Sequence, residues 1–195
     1  MSYLGPKPHS LAGGKELRES TMPGPCLPLI ALDPGGMTGW SLIVLPANIF
    51  DQKLPLDQLL QRKSLWVHGQ TECYDVNHGA HILRKYLIDQ WPTAALVFET
   101  FFLRGNTKSV DLTPVELNAI LGHHLWIKKR DRHWQQPAMA KRLDNDRLKL
   151  MNVYTSEGGM QHARDADRHA LMMIRRCMEG KGMKERLWPH VYQTG

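Results

Sequence analysis

Asp33, Glu99, His162 and Asp165 are the residues whose types and spacing could do chemistry together. Asp33 ends the apolar run Leu29–Leu32 and is followed by Pro34-Gly35-Gly36, and Glu99 ends a second run, Ala95–Phe98. His162 and Asp165 lie three apart in His162-Ala163-Arg164-Asp165-Ala166, so on a helix they project from one face. A carboxylate at a buried strand end needs a cation or a hydrogen-bond partner. Asp33 therefore binds a divalent metal, or its glycine loop holds a phosphate. The other two segments favour the metal: an early-strand Asp, a central-strand Glu and a late helix bearing His-x-x-Asp can converge on one oxygen-rich site. Mg²⁺, with Mn²⁺ as substitute, suits carboxylate and water ligands. Two such ions about 3.5–4 Å apart would clamp the attacking and leaving oxygens of a phosphodiester.

Plainer readings compete. Asp33 alone is equally a turn-capping acid. His162 is a metal ligand, a general base or a helix cap. Because Mg²⁺ prefers oxygen, proton transfer or contact with the scissile phosphate is favoured over tight ligation. Asp167 reads as a surface acid, and His169, one turn beyond Asp165, as a support behind the site. His123-His124 reads as one core and one surface residue.

Elements must bring these groups together. Residues 28–33 and 40–45 read as a hairpin around a turn forced by Pro34, Gly35, Gly36 and Gly39. Leu56–Leu60 reads as one helical turn, Leu65–Thr71 as a third strand, and 77–90 as a helix from the spacing of Ala80, Leu83, Leu87 and Ile88. Ala94–Glu99 is a buried fourth strand and Trp134–Gln136 a short fifth. Thr113-Pro114-Val115-Glu116 predicts a helix start, with Thr113 as N-cap and Glu116 closing a capping box, running to about Lys129. Asp144–Val153 and Gln161–Met178 read as further helices. On the last, Ala163, Ala166, Ala170, Ile174 and Cys177 form a narrow face that can lie close on a sheet.

This ordered set resembles the RuvC family of Holliday-junction resolvases, within the RNase H-like nucleases. Asp33 in Leu32-Asp33-Pro34-Gly35 falls on the family's first-strand aspartate, Glu99 on its central glutamate, and His162 and Asp165 on its last-helix pair. Phe102, three beyond Glu99, matches an aromatic that in the family wedges into the junction; Asn106 and, loosely, Gly122 match further positions. The resemblance covers roughly residues 28–178. It implies an α/β fold, an RNase H-like mixed five-stranded sheet flanked by helices. It also implies a Mg²⁺-dependent endonuclease that cuts four-way DNA junctions as a homodimer, with the helix from Thr113 to Lys129 as interface. The implied metal ligands are Asp33, Glu99 and Asp165, with His162 as a further catalytic residue. The expected DNA contacts are Phe102, Arg104, Asn106, Lys108, Lys141 and Arg164. The chain departs from the family at Lys141–Arg147, where a glycine-rich segment is usual, and in an apparent insertion over Pro46–Lys63. The glycine-rich Asp33 loop and compact size resemble the phage branch.

Composition agrees with such a partner. The formal charge is +6, from 25 basic and 19 acidic residues. Lys128-Lys129-Arg130, Arg132, Lys141-Arg142, Arg147 and Lys149 crowd one segment, and Arg164, Arg168, Arg175 and Arg176 sit on the last helix. Basic faces beside clustered acids suit a phosphodiester substrate. Three scattered cysteines give no disulfide framework or zinc pattern, which predicts a reducing, cytoplasmic setting; the resemblance implies the cytoplasm of a bacterium or a phage-infected host. No apolar stretch is long enough for a membrane span. One nuclease domain is expected over 27–179, with a loose tail at 1–26 and a mobile one at 180–195. The alternative enzyme is a broader RNase H-like nuclease for flaps, branched DNA or RNA–DNA hybrids. An actin-like kinase would need a second phosphate loop and a second domain, and retention of all four site residues argues against a dead DNA-binding module.

Overall fold

The computed structural model describes residues 18–22, 24–101, 111–151, 154, 160–180 and 182–193. Strand β1 (Cys26–Asp33) runs antiparallel to β2 (Met37–Pro46), with Leu29 opposite Ile43 and Asp33 opposite Gly39. Strand β3 (Leu65–Glu72) adds antiparallel to β2, while β4 (Ala95–Glu99) pairs parallel with β1 and β5 (His133–Gln135) parallel with β4. The order β3-β2-β1-β4-β5 is the expected mixed five-stranded sheet, flanked by helices.

The alternation of side chains splits the core. Leu27, Leu29, Ala31, Ile43, Leu45, Ala95 and Val97 pack toward helix α6 (Gln161–Met178). Ile30, Leu32, Leu42, Val44, Leu96 and Phe98 pack on the other side, against α2 (Val76–Leu83) and α3 (Thr113–Ile127). The period of two therefore sends Asp33 and Glu99 to the α6 side together. The β1–β4 register, Leu29 opposite Ala95, carries those two acids to neighbouring strand ends.

Several local expectations need correction. The helix expected over 77–90 ends at Leu83 and continues as a π turn, Arg84–Ile88, closed by Asp89 N–H donating to the Arg84 carbonyl at 2.8 Å. The wider turn keeps Leu83, Leu87 and Ile88 all buried. Thr113 is not an N-cap. It is the first residue of α3, and its N–H is taken by the Asp111 carboxylate at 2.9 Å, so no capping box forms. The helix α5 (Asn145–Leu150) is shorter than expected, although Asp144 caps it through the Arg147 N–H at 2.8 Å.

The C-terminal segment is no mobile tail. Helices α7 (Met183–Leu187) and α8 (Pro189–Tyr192) fold back on the sheet, Trp188 is fully buried, and its indole N–H donates to the Pro28 carbonyl at 2.8 Å. Burying an indole of that size outweighs the polarity of Lys184, Glu185 and Arg186 around it. The apparent insertion likewise contributes core: Ile49, and Leu59 and Leu60 from α1 (Leu56–Gln61), are buried. Of the N-terminal tail, residues 1–17 lie outside the described residues. Glu19 is tied down: its backbone N–H donates to the Gln90 carbonyl, and its carboxylate accepts from the Thr93 N–H at 3.0 Å.

Candidate active site

Four contacts seat the N-terminal turn of α6 on the strand ends. The residue before the helix, Met160, offers no side-chain cap. Gln70 on β3 supplies one instead, its buried Oε1 accepting from the His162 N–H at 2.9 Å and the Ala163 N–H at 3.3 Å. Gly39 on β2 makes the approach possible, since a Cβ there would fall 1.9 Å from the His162 carbonyl oxygen. The third contact is His162 itself, whose Nδ1 lies 2.8 Å from Asp33 Oδ2. The fourth is the Asp167 carboxylate. It is wholly buried, accepting from Ser41 Oγ at 2.7 Å and Trp66 Nε1 at 2.9 Å, with His68 Nδ1 at 2.5 Å. The surface reading of Asp167 is thus wrong, because four-residue helical spacing turns it with Ala163 and Ala170 toward the sheet.

The opposite flank is held by His169, also wholly buried. Its Nδ1 meets Gln135 Oε1 at 2.8 Å and its Nε2 meets Glu99 Oε2 at 2.5 Å. The sequence reading of His169 as a support is thus matched by a direct contact to Glu99. Asp165 is bound by the Arg168 guanidinium one turn on, and that guanidinium also donates from Nε to the Leu143 carbonyl at 2.7 Å.

The electrostatics join these contacts into one site. Burial pushes the Asp33 carboxyl above its ordinary range, the His162 hydrogen bond opposes that, and the nearby charges of Glu99 and Asp165 add to the rise. His162 is pushed up in turn, chiefly by its hydrogen bond to Asp33, with burial opposing and the charges of Asp33, Asp165 and Glu99 assisting. The structure therefore brings Asp33, Glu99, His162 and Asp165 to one end of the sheet. Among the described residues, however, no group of three or more His, Cys, Asp or Glu side chains is drawn tightly enough to ligate one metal ion. The carboxylates are instead engaged by His162, His169 and Arg168. The donor set still suits a hard divalent cation: Asp33 lies within electrostatic reach of the Glu99 and Asp165 carboxylates, and burial first, then those charges, disfavour its anion.

The expected DNA contacts divide. Lys141 is exposed just after α4 (Pro137–Ala140), and Arg164 lies half-buried in the first turn of α6, its guanidinium 5.5 Å from the Tyr154 ring centroid. Phe102, Arg104, Asn106 and Lys108 lie outside the described residues. Sequence reasoning missed Gln70, Gln135 and the Asp167 cluster, and no local motif announces them. His123 is exposed, while the His124 side chain is only 11% exposed and paired with Asp89 at 2.8 Å. No described helix is long and apolar enough to cross a membrane.

No protein-family model matches the chain, and no curated protein sequence matches it. Among solved structures, Thermus thermophilus RuvC in complex with a Holliday junction substrate is similar, with a TM-score of 0.49 and 11% identity over 79% of this chain and 96% of that one. A further Thermus thermophilus RuvC structure matches with a TM-score of 0.48 and 11% identity, over 79% of this chain and 97% of that one.

Proposed function

We propose that this chain is a divalent-metal-dependent endonuclease that hydrolyses phosphodiesters in branched DNA, four-way junctions foremost, and works as a homodimer. The observation that carries the reading is the meeting of Asp33, Glu99, Asp165 and His162 at one end of the sheet, with Asp33 raised chiefly by burial and further by the charges of Glu99 and Asp165. Asp33, Glu99 and Asp165 would hold Mg²⁺ or Mn²⁺. When bound, the metal would supply charge stabilisation at the phosphoryl oxygens and a more acidic water.

The chain's own residues do the rest. Asp33 Oδ2 fixes the His162 ring through Nδ1, leaving Nε2 on the half-exposed side. The hydrogen bond to Asp33 raises the proton affinity of His162, which suits Nε2 to hold a phosphate oxygen or give a proton to the leaving oxygen. His169 orients Glu99, with Gln135 fixing the far side of its ring. Arg168 holds Asp165 and adds positive charge beside it. Phe102, carried over from the family resemblance, is the proposed wedge at the junction centre.

The dimer reading has support of its own. The outward side of α3 exposes Val115, Trp126 and Ile127, with Leu112 just before it, at 42%, 75%, 57% and 47%. Two-fold pairing there would present two equivalent sites to two equivalent strands.

Incubation of the full chain with Mg²⁺ and a four-way junction, a flap, an RNA–DNA hybrid or linear duplex tests the reading. The junction should be cut in preference, and Asp33→Asn should bind it without cutting. Equal cleavage of flaps or hybrids would move the broader nuclease reading ahead. Cleavage undiminished by excess chelator would end both.

A further inference from the structure

The far edge of the sheet carries a second arrangement that the acid cluster does not use. Trp134 on β5 stands opposite Phe98, on the face turned away from α6, and the two rings meet edge to face at 6.1 Å and 89°. The Arg132 guanidinium lies 4.4 Å from the Trp134 ring centroid and 5.7 Å from that of Phe98. It reaches this position through a slot that only a glycine leaves open, because a Cβ on Gly122 would fall 2.2 Å from its Nη1. Nη1 is then anchored on the Asn118 carbonyl at 2.6 Å. Trp134 is thus gripped on one side, yet 45% of it remains exposed, and it belongs to neither buried cluster.

Beside it opens a groove of about 480 Å³ whose wall includes Lys129, Asp131 and Arg132. The connecting segment Lys128-Lys129-Arg130-Asp131-Arg132-His133 holds four Lys or Arg residues against one acid. Arg130 is spent on the carbonyls of Ile88, Trp91 and Ala94, so it contributes field rather than contact. Burial, with Arg186 and Arg176 and against the charge of Asp131, holds the His133 ring below its usual range, so it is not counted among the cations. Asp131 and the negative end of the α3 dipole oppose an anion, and the cations outnumber them. Trp126 borders the groove as well as the proposed dimer face, but a two-fold contact centred on the groove itself would set these cations against themselves.

We propose that this edge is a nucleic-acid contact in which an unpaired base stacks on the open face of Trp134 and its flanking phosphate lies in the groove against Arg132 and Lys129. Exposed aromatics set among cations are how sequence-tolerant single-strand sites are built. The contact rests on the nuclease reading for its place: Gln135, the next residue on β5, holds His169 and through it Glu99. Trp134 faces the opposite side of the sheet from Gln135, but β5 is the edge strand, so a strand leaving the acid-lined end meets Trp134 by passing around that edge. The ligand is a single-stranded stretch next to the scissile bond.

The test is the binding of a fluorescein-labelled oligothymidylate, and of blunt duplex, to the full chain in excess chelator, so that no cleavage is involved. Trp134→Ala should weaken single-strand binding about 5- to 100-fold, the loss of one base–aromatic stack, with a much smaller effect on duplex. Trp134→Phe should keep most of the affinity. Lys129→Ala should weaken both ligands alike and lower the salt slope by about 1. If the alanine variant fails to fold, Trp134→Leu carries the same comparison. Trp134→Ala binding the oligonucleotide as well as the parent would overturn the proposal, as would a parent chain that does not bind it. So would a loss of self-association in Trp134→Ala in place of a loss of DNA affinity. A parent chain that cuts none of the DNA substrates, beside Trp134→Ala that no longer binds single strands, would sink the nuclease reading and leave this contact standing.

Discussion

The two faces of the sheet are built by different physics. Toward α2 and α3, the layer of Ile30, Leu32, Leu42, Val44, Leu96 and Phe98 meets Leu83, Leu87, Leu117, Leu121 and Leu125, with no charge among them. That interface is held by apolar burial, which is strong but non-directional. Toward α6, the same strands change character along their length. Leu29, Ala31, Ile43 and Val97 give way to Asp33, Gly39, Ser41, Gln70, Glu99 and Gln135 at the end where the helix begins. There, α6 is pinned by directional contacts on both flanks: Gln70 and Asp167 toward β2 and β3, His169 toward β4 and β5. Hydrogen bonds are directional, so they add an orientational constraint that apolar contact alone lacks. The difference teaches that one face makes the fold stable and the other makes the site accurate.

Substitutions can break that contrast, and the largest effect belongs to His162. His162→Ala should slow junction cleavage by about 10²–10⁴-fold, the span of a lost acid–base group, with little change in melting temperature. Wild-type turnover would reduce His162 to a cap. Next come the supports of the two faces. Leu117→Ala should cost about 2–5 kcal/mol of stability through the cavity it leaves, with turnover per folded molecule unchanged. Asp167→Ala strands the Ser41, Trp66 and His68 donors. It should cost about 3 kcal/mol, several unpaired buried groups at about 1–3 kcal/mol each after partial relaxation, and should lower turnover as well. Denaturant melts beside single-turnover rates decide the matter. If both variants lose only stability, the contrast fails.

His169→Ala should reduce activity by a smaller factor, about 10–100-fold, typical of a residue that orients a ligand without touching substrate. A weakened response to Mn²⁺ should accompany it, and His169→Asn should recover part of the loss. An unchanged metal response would leave His169 as core filling.

The smallest effect has the opposite sign. Because the Asp33 carboxyl is raised in the folded chain, its contribution to stability is present below the ordinary carboxylate range and is lost as pH rises through the raised value. At neutral pH the charged form is a burden that Asp33→Asn removes. The variant should melt about 2–4 °C higher in metal-free buffer, the shift for about 1 kcal/mol in a chain of this size. That gain should vanish in acid. A lower melting temperature at neutral pH would mean that the His162 bond outweighs the crowding of acids.

How much of this was legible in the sequence follows from the range of each interaction. The strand alternation and the His-x-x-Asp spacing are local, so the five strands and the meeting of Asp33, Glu99, His162 and Asp165 could be anticipated. The Gln70 cap on α6 and the Ser41–Asp167 bond join residues about a hundred positions apart, and nothing near either partner announces them. Thr113 misled because Asp111, two residues earlier, already served its N–H. The C-terminal helices were hidden because one buried indole, Trp188, anchors a segment that otherwise reads as polar.

Titration of the metal-free chain with Mn²⁺, followed by the loss of the free-ion electron paramagnetic resonance signal, tests the central claim most directly. Saturable binding is expected in the parent chain, weakened about tenfold or more in each of Asp33→Asn, Glu99→Gln and Asp165→Asn. A parent chain that takes up no Mn²⁺, or three variants that bind it as the parent does, would contradict a metal site at this end of the sheet.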